Sequence, residues 1–356
     1  MNNNTAVSEN APKIKRETKN TIKVDFERTN FWTRFKLKYL TSNALVSALW
    51  WLFRFILLLG ISYVILQPFY SKFASSFMGK EDFVDVTVKL IPKHPTLDTY
   101  AQVIKENRYF EALLNTTILS LSCAVLQTIS CSLIGYGLSK YKFKGNKLIF
   151  ALVIFTMIIP HKTLHLALYM KFRYFDIGVG KFGLFNLLNT LKLTSFSDIK
   201  LTTTYWPFVI LSITGLGFKN GLFIFMMRQF FKGVPDELEE SAYIDGYGPL
   251  RTFFKIIIPI SIPMMITIFL FAFSWQWTDN FYVETFIGSG AKNKLYLLPQ
   301  IVTVPKTMET DYAGKSLYET AIRNTCGLLI IYPLIVVYLF CQKYLVQGIE
   351  RSGIVG

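Results

Sequence analysis

The sequence predicts an all-α integral membrane protein, and three observations carry that expectation. Of the 356 residues, 52% are hydrophobic, 32 are Phe and only 17% are charged, whereas ordinary soluble domains carry about 25% charge. Six apolar runs reach or approach the ~20 residues that a helix needs to cross the hydrocarbon, at roughly 51–69, 117–138, 148–169, 206–227, 256–277 and 326–344. The net charge of +15 is gathered into particular short connections. In a soluble domain such an excess points to nucleic acid; between spans it fixes orientation, so nucleic acid is excluded as a partner.

Residues 1–44, rich in Asn, Lys, Glu and Thr, read as a basic, mostly disordered arm. Its cations either are simply solvated or rest on anionic membrane lipids. The first run is not expected to be a cleaved leader, because a long polar segment precedes it and no small-residue cleavage site follows "LLLGISYVILQPFY". Nine Lys and Arg between Lys13 and Lys38 precede this run, and "SKYKFKGNK" between the second and third carries Lys140, Lys142, Lys144 and Lys147 with no acid. By the positive-inside rule both segments, and with them both termini, are cytoplasmic. The segments this places outside, 70–116, 171–205 and 278–325, are longer and balanced in charge. Cys123, Cys131, Cys326 and Cys341 all fall in apolar runs with no disulfide framework or zinc spacing.

Between the fourth and fifth runs lies "PDELEESAYIDGYG", with five carboxylates: Asp236, Glu237, Glu239, Glu240 and Asp245. Pro235 suits a first helical position, the early acids favour the positive end of the helix dipole, and Gly246 is suited to stop the helix at positive φ. Pro249 then starts the next helix. Leu238, Ser241, Ala242 and Asp245 share one face by spacing, so the small pair is expected to let another protein approach closely.

Glu240, Ser241, Ala242, Gly246, Ile256, Ile258 and Pro259 resemble the EAA loop of bacterial ABC-importer permeases, E-A-A-x3-G-x9-I-x-L-P, with Ser for one Ala and Ile for Leu. The likeness runs from about residue 45 to the C-terminus and is nearest the carbohydrate-uptake branch, of maltose type. "IPKHPTLDTYAQVI", "YGLSKYKFKGNKLIF", "IFMMRQFFKGVPDELEE", "WQWTDNFY" and "KYLVQGIERSGIVG" contribute to it. The family's Lys before the last Gly is missing from "SGIVG". The resemblance implies a type I importer fold with six transmembrane helices over 45–356 and an EAA loop at 228–259, in the bacterial cell membrane.

It also implies partners: a second permease subunit, a dimer of ATP-binding cassette ATPases and an extracytoplasmic solute-binding protein. The chain would be a non-catalytic subunit with no cofactor of its own. It contains no G-x4-GK[ST] phosphate loop, so ATP and Mg belong to the ATPase. Glu240, Ser241, Ala242, Asp245, Gly246, Ile256 and Pro259 would form the coupling element, Glu240 pairing with a cation of the ATPase because an unpaired buried charge is costly. Segment 278–325, with "GSGAKNK" as a polar tip, would reach the binding protein.

For the pathway itself, Lys219 lies nine residues before Arg228, or about 13 Å deeper on a continuous helix. Charge at that depth faces a wet cavity or a protein partner, so "FKN", Phe218 to Asn220, either lines the path or pairs with the second permease. Trp275, Gln276, Trp277 and Asp279 form a set able to stack on a sugar ring and bond its hydroxyls, or to anchor the helix at the interface. His161 and His165 have helical metal spacing, but no further ligand completes a site, and packing or a hydrogen bond is the expected role. An importer of a non-sugar solute would carry the same loop. An ion-coupled secondary transporter would show internal repeats and intramembrane acids, and neither is seen.

Overall fold

The computed structural model describes residues 42–176, 190, 199–217, 219–288 and 295–353. Residues 1–41 of the basic arm, Phe218 and residues 289–294 of the "GSGAKNK" tip lie outside the described residues. Among the described residues the architecture is helical, with two isolated β-bridges, Met78 to Pro95 and Phe175 to Ile199. The chain divides into two units, Met1–Pro68 and Phe69–Gly356. Helix α1, Ser42–Ser75, begins in the first unit, where its apolar side chains from Leu49 to Leu66 are exposed on every face.

In the second unit, α2 (Asp98–Glu106) leads into α3 (Tyr109–Lys140), followed by α4 (Asn146–Ile158), α5 (His165–Arg173), α6 (Trp206–Ile213), α7 (Asn220–Lys232) and α8 (Glu237–Ile244). Helix α9 runs over Pro249–Trp277 and α10 over Lys315–Gly353. Helix α3 is the centre: it packs on α6, α7 and α9, and α9 in turn packs on α10. Its buried positions, among them Ala112, Thr116, Leu119, Cys123, Gln127 and Cys131, recur every three or four residues, the spacing of one helical face.

Six uninterrupted spans are expected from hydropathy. Among the described residues four helices, α1, α3, α9 and α10, are long and apolar enough to cross. The runs at 148–169 and 206–227 are each broken. In the first, α4 and α5 meet at 100°. Pro160 is the cause: it disfavours helical backbone at the residue before it, and Ile159 is extended at φ −66° and ψ 124°. A short 3-10 turn, His161–Leu164, then starts α5.

In the second, α6 ends in a Schellman turn. Gly215 takes φ +74°, and the Leu216 N–H bonds back to the Leu211 carbonyl at 3.0 Å. That diversion frees the Ser212 carbonyl, which a continuous helix would have bonded to Leu216. Ser130 of α3 donates its hydroxyl to it at 2.7 Å, and Gln127 donates to the Ser212 hydroxyl at 3.2 Å. Broken backbone at membrane depth persists only where protein satisfies it in this way. The same logic operates in α10, where Pro333 cannot bond the Leu329 carbonyl and the Tyr109 hydroxyl donates to it at 3.1 Å.

The connections gather at opposite ends of α3. At its N-terminal end Asn107 donates to the carbonyls of Ile301 and Thr303, both at 2.8 Å, and the Leu298 N–H bonds Thr116 at 2.9 Å. At its C-terminal end, Lys140, the last residue of α3, meets the acidic segment around α8.

Candidate functional site: an exposed acidic helix and a cavity between two broken spans

Helix α8 begins beyond Pro235 and ends as the sequence predicts. Gly246 stands at φ +79°, its N–H bonds the Tyr243 carbonyl at 3.1 Å, and the Tyr247 N–H bonds the Ala242 carbonyl at 2.9 Å. These are the two bonds of a complete Schellman motif. Gly248 then extends the chain, and Pro249 opens α9. A five-residue π turn, Phe253–Ile257, precedes Pro259, whose ring cannot donate to the preceding turn. Ile256 is half-buried in that turn and Pro259 is exposed.

The faces of α8 differ from the expected division. Ala242 is only 2% exposed and Glu239 only 8%, so both point into their own chain. Leu238, Glu240, Ser241 and Asp245 are exposed. The expected common face of Leu238, Ser241, Ala242 and Asp245 is therefore divided, because α8 lies against the end of α3 along the edge that bears Ala242 and Glu239. The free stripe is Glu237, Glu240, Ser241 and Ile244, one above another at three- and four-residue steps. Ile244, 86% exposed, is the residue that sequence reasoning passed over. Its signal was available: a large aliphatic side chain one turn beyond Glu240, at the end of an acid-rich helix.

The second feature is a cavity of about 320 Å³ where the two breaks face each other. Met157, Ile159 and His161 line it from the first break, and Gly215, Lys219 and Asn220 from the second, with Tyr282 nearby. Lys219 is not inside a helix. It adopts left-handed backbone, φ +62°, as the residue before α7, a conformation that is uncommon outside glycine and clusters at functional positions. Its ammonium stands 5.7 Å from the centre of the Trp275 ring, and that ring stacks on Phe223 at 5.5 Å.

Asn220 is 1% exposed, yet among the described residues neither its amide nitrogen nor its amide oxygen has a hydrogen-bond partner. A buried amide in that condition costs about 1–3 kcal/mol. His165 bonds the Thr285 hydroxyl at 3.0 Å, and both histidines sit edge-on to Phe281.

The structure brings Lys219, Asn220 and Trp275 together and leaves the rest of the "WQWTDNFY" set elsewhere. Trp277, 3% exposed, donates its indole N–H to the Ile330 carbonyl of α10 at 2.9 Å. Gln276 and Asp279 are buried side by side; the Asp279 carboxylate accepts the Tyr282 N–H at 3.2 Å and the Gln276 amide at 3.5 Å. These three residues fasten the C-terminal end of α9.

Burial pushes the Asp279 carboxyl up to about 6 from an ordinary 3.8. The folded chain thus favours its neutral form: stability is gained as pH falls through about 6 and is fully present below the ordinary carboxylate range. A shift of that size corresponds to about 3 kcal/mol. The melting temperature of the purified subunit is expected to rise between pH 7.5 and pH 5, and Asp279→Asn to remove that rise. An Asn variant with the wild-type pH dependence would show that another group governs it.

Residues 131–351 match the family model described as "binding-protein-dependent transport system inner membrane component". Among similar proteins, the polygalacturonan/rhamnogalacturonan transport system permease protein YtcP of Bacillus subtilis is 26% identical over 304 residues, covering 84% of this chain and 96% of that protein. The arabinooligosaccharides transport system permease protein AraQ of the same organism is 28% identical over 280 residues, 77% of this chain and 84% of its own. Among solved structures, a bacterial ABC transporter involved in the import of the acidic polysaccharide alginate aligns over 84% of this chain and 97% of the matched chain, with a TM-score of 0.59 and 22% identity. That likeness establishes the fold.

Proposed function

The chain belongs to the binding-protein-dependent transport system inner membrane components, and from that premise we propose that it is the membrane-spanning subunit of an ATP-driven oligosaccharide importer. The saccharide assignment is supported by the relatives, whose names specify polygalacturonan or rhamnogalacturonan and arabinooligosaccharides as what they transport. The observation that carries the mechanism is the position of α8. It is a two-turn helix that presents Glu240 and Ile244 outward, and it follows on α7, whose first residue is the buried Asn220 of the cavity. The 13 residues of α7 span about 20 Å, so one rigid rod joins the cavity to the exposed helix.

In this reading α8 is the coupling helix. Glu240, Ser241 and Asp245, with Ile244, enter a groove of a separate ATPase, one of two beneath two permease subunits. Gly246, Ile256 and Pro259 shape the turn into α9, while Ala242 seats the helix on its own chain. ATP with Mg is bound and hydrolysed in the ATPase dimer, and this chain does no covalent chemistry. A loaded solute-binding protein delivers the saccharide from outside, with the segment 278–325 contributing to its docking. Lys219 and Asn220 offer hydrogen bonds to saccharide hydroxyls in the cavity, and Trp275 supports Lys219 from behind. ATP and the loaded binding protein must both favour the outward-facing state over the inward-facing one, since only a difference in affinity shifts an equilibrium.

The test is uptake by the reconstituted assembly of this chain with its ATPase, second permease and binding protein. Oligosaccharide accumulation is expected to require ATP and binding protein together. Accumulation driven by an ion gradient without ATP would overturn the reading, and a ligand screen on the binding protein identifies the solute class. Orientation has its own check. Cys introduced at Asp85 is expected to react with an impermeant thiol reagent in intact cells, and Cys introduced at Lys144 to react only after the membrane is opened. Labelling at 144 in intact cells would reverse the topology.

A further inference from the structure

The acidic helix holds a carboxylate that docking does not use. Glu239 is buried, and its neighbours come from the last two turns of α3. The Tyr136 hydroxyl donates to Glu239 Oε2 at 3.2 Å, and the Lys140 ammonium stands 3.6 Å from Glu239 Oε1. The Lys140 side chain is itself 8% exposed. It also donates to the Val234 carbonyl at 2.6 Å and to Asp236 at 2.5 Å, which holds the Asp236 carboxylate below its ordinary range. One lysine thus grips the connection from α7 to α8 at Val234 and Asp236, and α8 itself at Glu239.

Packing alone would not call for such a group, because a buried ion pair is often no more stable than apolar residues of the same volume. What the pair supplies is direction. It fixes α8 at one register against α3, and removing Lys140 takes the cation from the buried Glu239 carboxylate. Helix α3 continues from this grip without interruption. Ten residues before Lys140, about 15 Å along the helix, Ser130 holds the freed carbonyl of Ser212. The neighbouring Cys131 thiol contacts the Asn220 carbonyl at 3.8 Å. The helix gripped by α8 is therefore the helix that sustains the break beside the cavity.

We propose that Lys140 and Tyr136 are positioning residues that lock the coupling helix to α3 through Glu239, so that a displacement of α8 reaches the cavity through α3 as well as through α7. This second route rests on the reading that α8 docks on an ATPase.

The experiment has two arms, applied to Tyr136→Phe, Lys140→Met, Glu239→Gln and the double variant Lys140→Met with Glu239→Gln. The first arm places a nitroxide label at Ile244 of the purified full chain. Label mobility is expected to rise in all four variants and to stay at the wild-type value in Glu240→Ala. The second measures saccharide moved per ATP hydrolysed in the assembled importer. That ratio is expected to fall about tenfold in the single variants, with basal ATPase activity and complex recovery within about twofold of wild type. The double variant is expected to be no worse than the worse single one, as members of one network are not additive.

Unchanged mobility, an unchanged transport ratio, a loss that tracks complex recovery, or multiplied losses in the double variant would each overturn the proposal. Tyr136→Phe removes one hydroxyl from an aromatic cluster and keeps the test decisive if the charge variants fail to fold. Silence of Glu240→Ala in uptake would instead remove the docking reading, leaving the mobility result to stand on the lock itself.

Discussion

Glu240→Ala is expected to cut uptake at least about tenfold while the subunit reaches the membrane in normal amount. In the chain alone Glu240 is exposed, and such a surface substitution changes stability by under about 0.5 kcal/mol. In a docked groove the same change strands the partner's cation, a loss of about 2–5 kcal/mol. Gly246→Val acts by a different route and is expected to be at least as severe. At φ +79° a side chain costs about 1–2 kcal/mol, and both Schellman bonds that aim the chain from α8 into α9 are at stake. The measurement is uptake beside ATPase co-purification at matched expression. Wild-type values in both variants would remove the coupling role from α8.

Asn220→Leu is expected to separate function from stability. The Asn220 amide, with no partner among the described residues, is a liability to the chain without solute, so an aliphatic group of similar size should leave the melting temperature equal or higher, by up to about 1–3 kcal/mol of recovered desolvation. Uptake is expected to be lost, because the polar group that lines the cavity no longer meets the solute. A variant that melts earlier and transports in proportion to its surviving amount would make Asn220 a structural residue.

What could be seen beforehand depended on how local the physics was. The Gly246 turn was legible because a helix stop is decided within a few residues, by the absence of a side chain at positive φ. The break at Pro160 had a plain sign in the proline, and that at 214–219 in the glycines of "TGLGFKN". Hydropathy averaged over a membrane's thickness hid both, since a kink costs no hydrophobicity. The inward turn of Glu239 was not legible. Its partner Tyr136 is 103 residues away, and nothing in "ELEES" distinguishes the acid that binds its own chain from the one left outside. The same limit applied to "WQWTDNFY", where composition proposed one surface and helical periodicity sends Trp275 toward Lys219 and Trp277 toward α10.

The interrupted stretch from α6 to α7 also bears on the order in which the chain is built. Its pieces, of eight and 13 residues, are each shorter than the ~20 needed to partition into lipid alone, so they must leave the insertion machinery as a single apolar segment. The bend can form only where something covers the Ser212 carbonyl, and Ser130 and Gln127 lie upstream, on a helix synthesised earlier. Vectorial synthesis therefore delivers the acceptor before the defect. A circularly permuted gene that emitted α6 and α7 ahead of α3 would present lipid with an uncovered carbonyl, and such a chain is expected to stall or be degraded during insertion although every contact of the finished fold remained available to it.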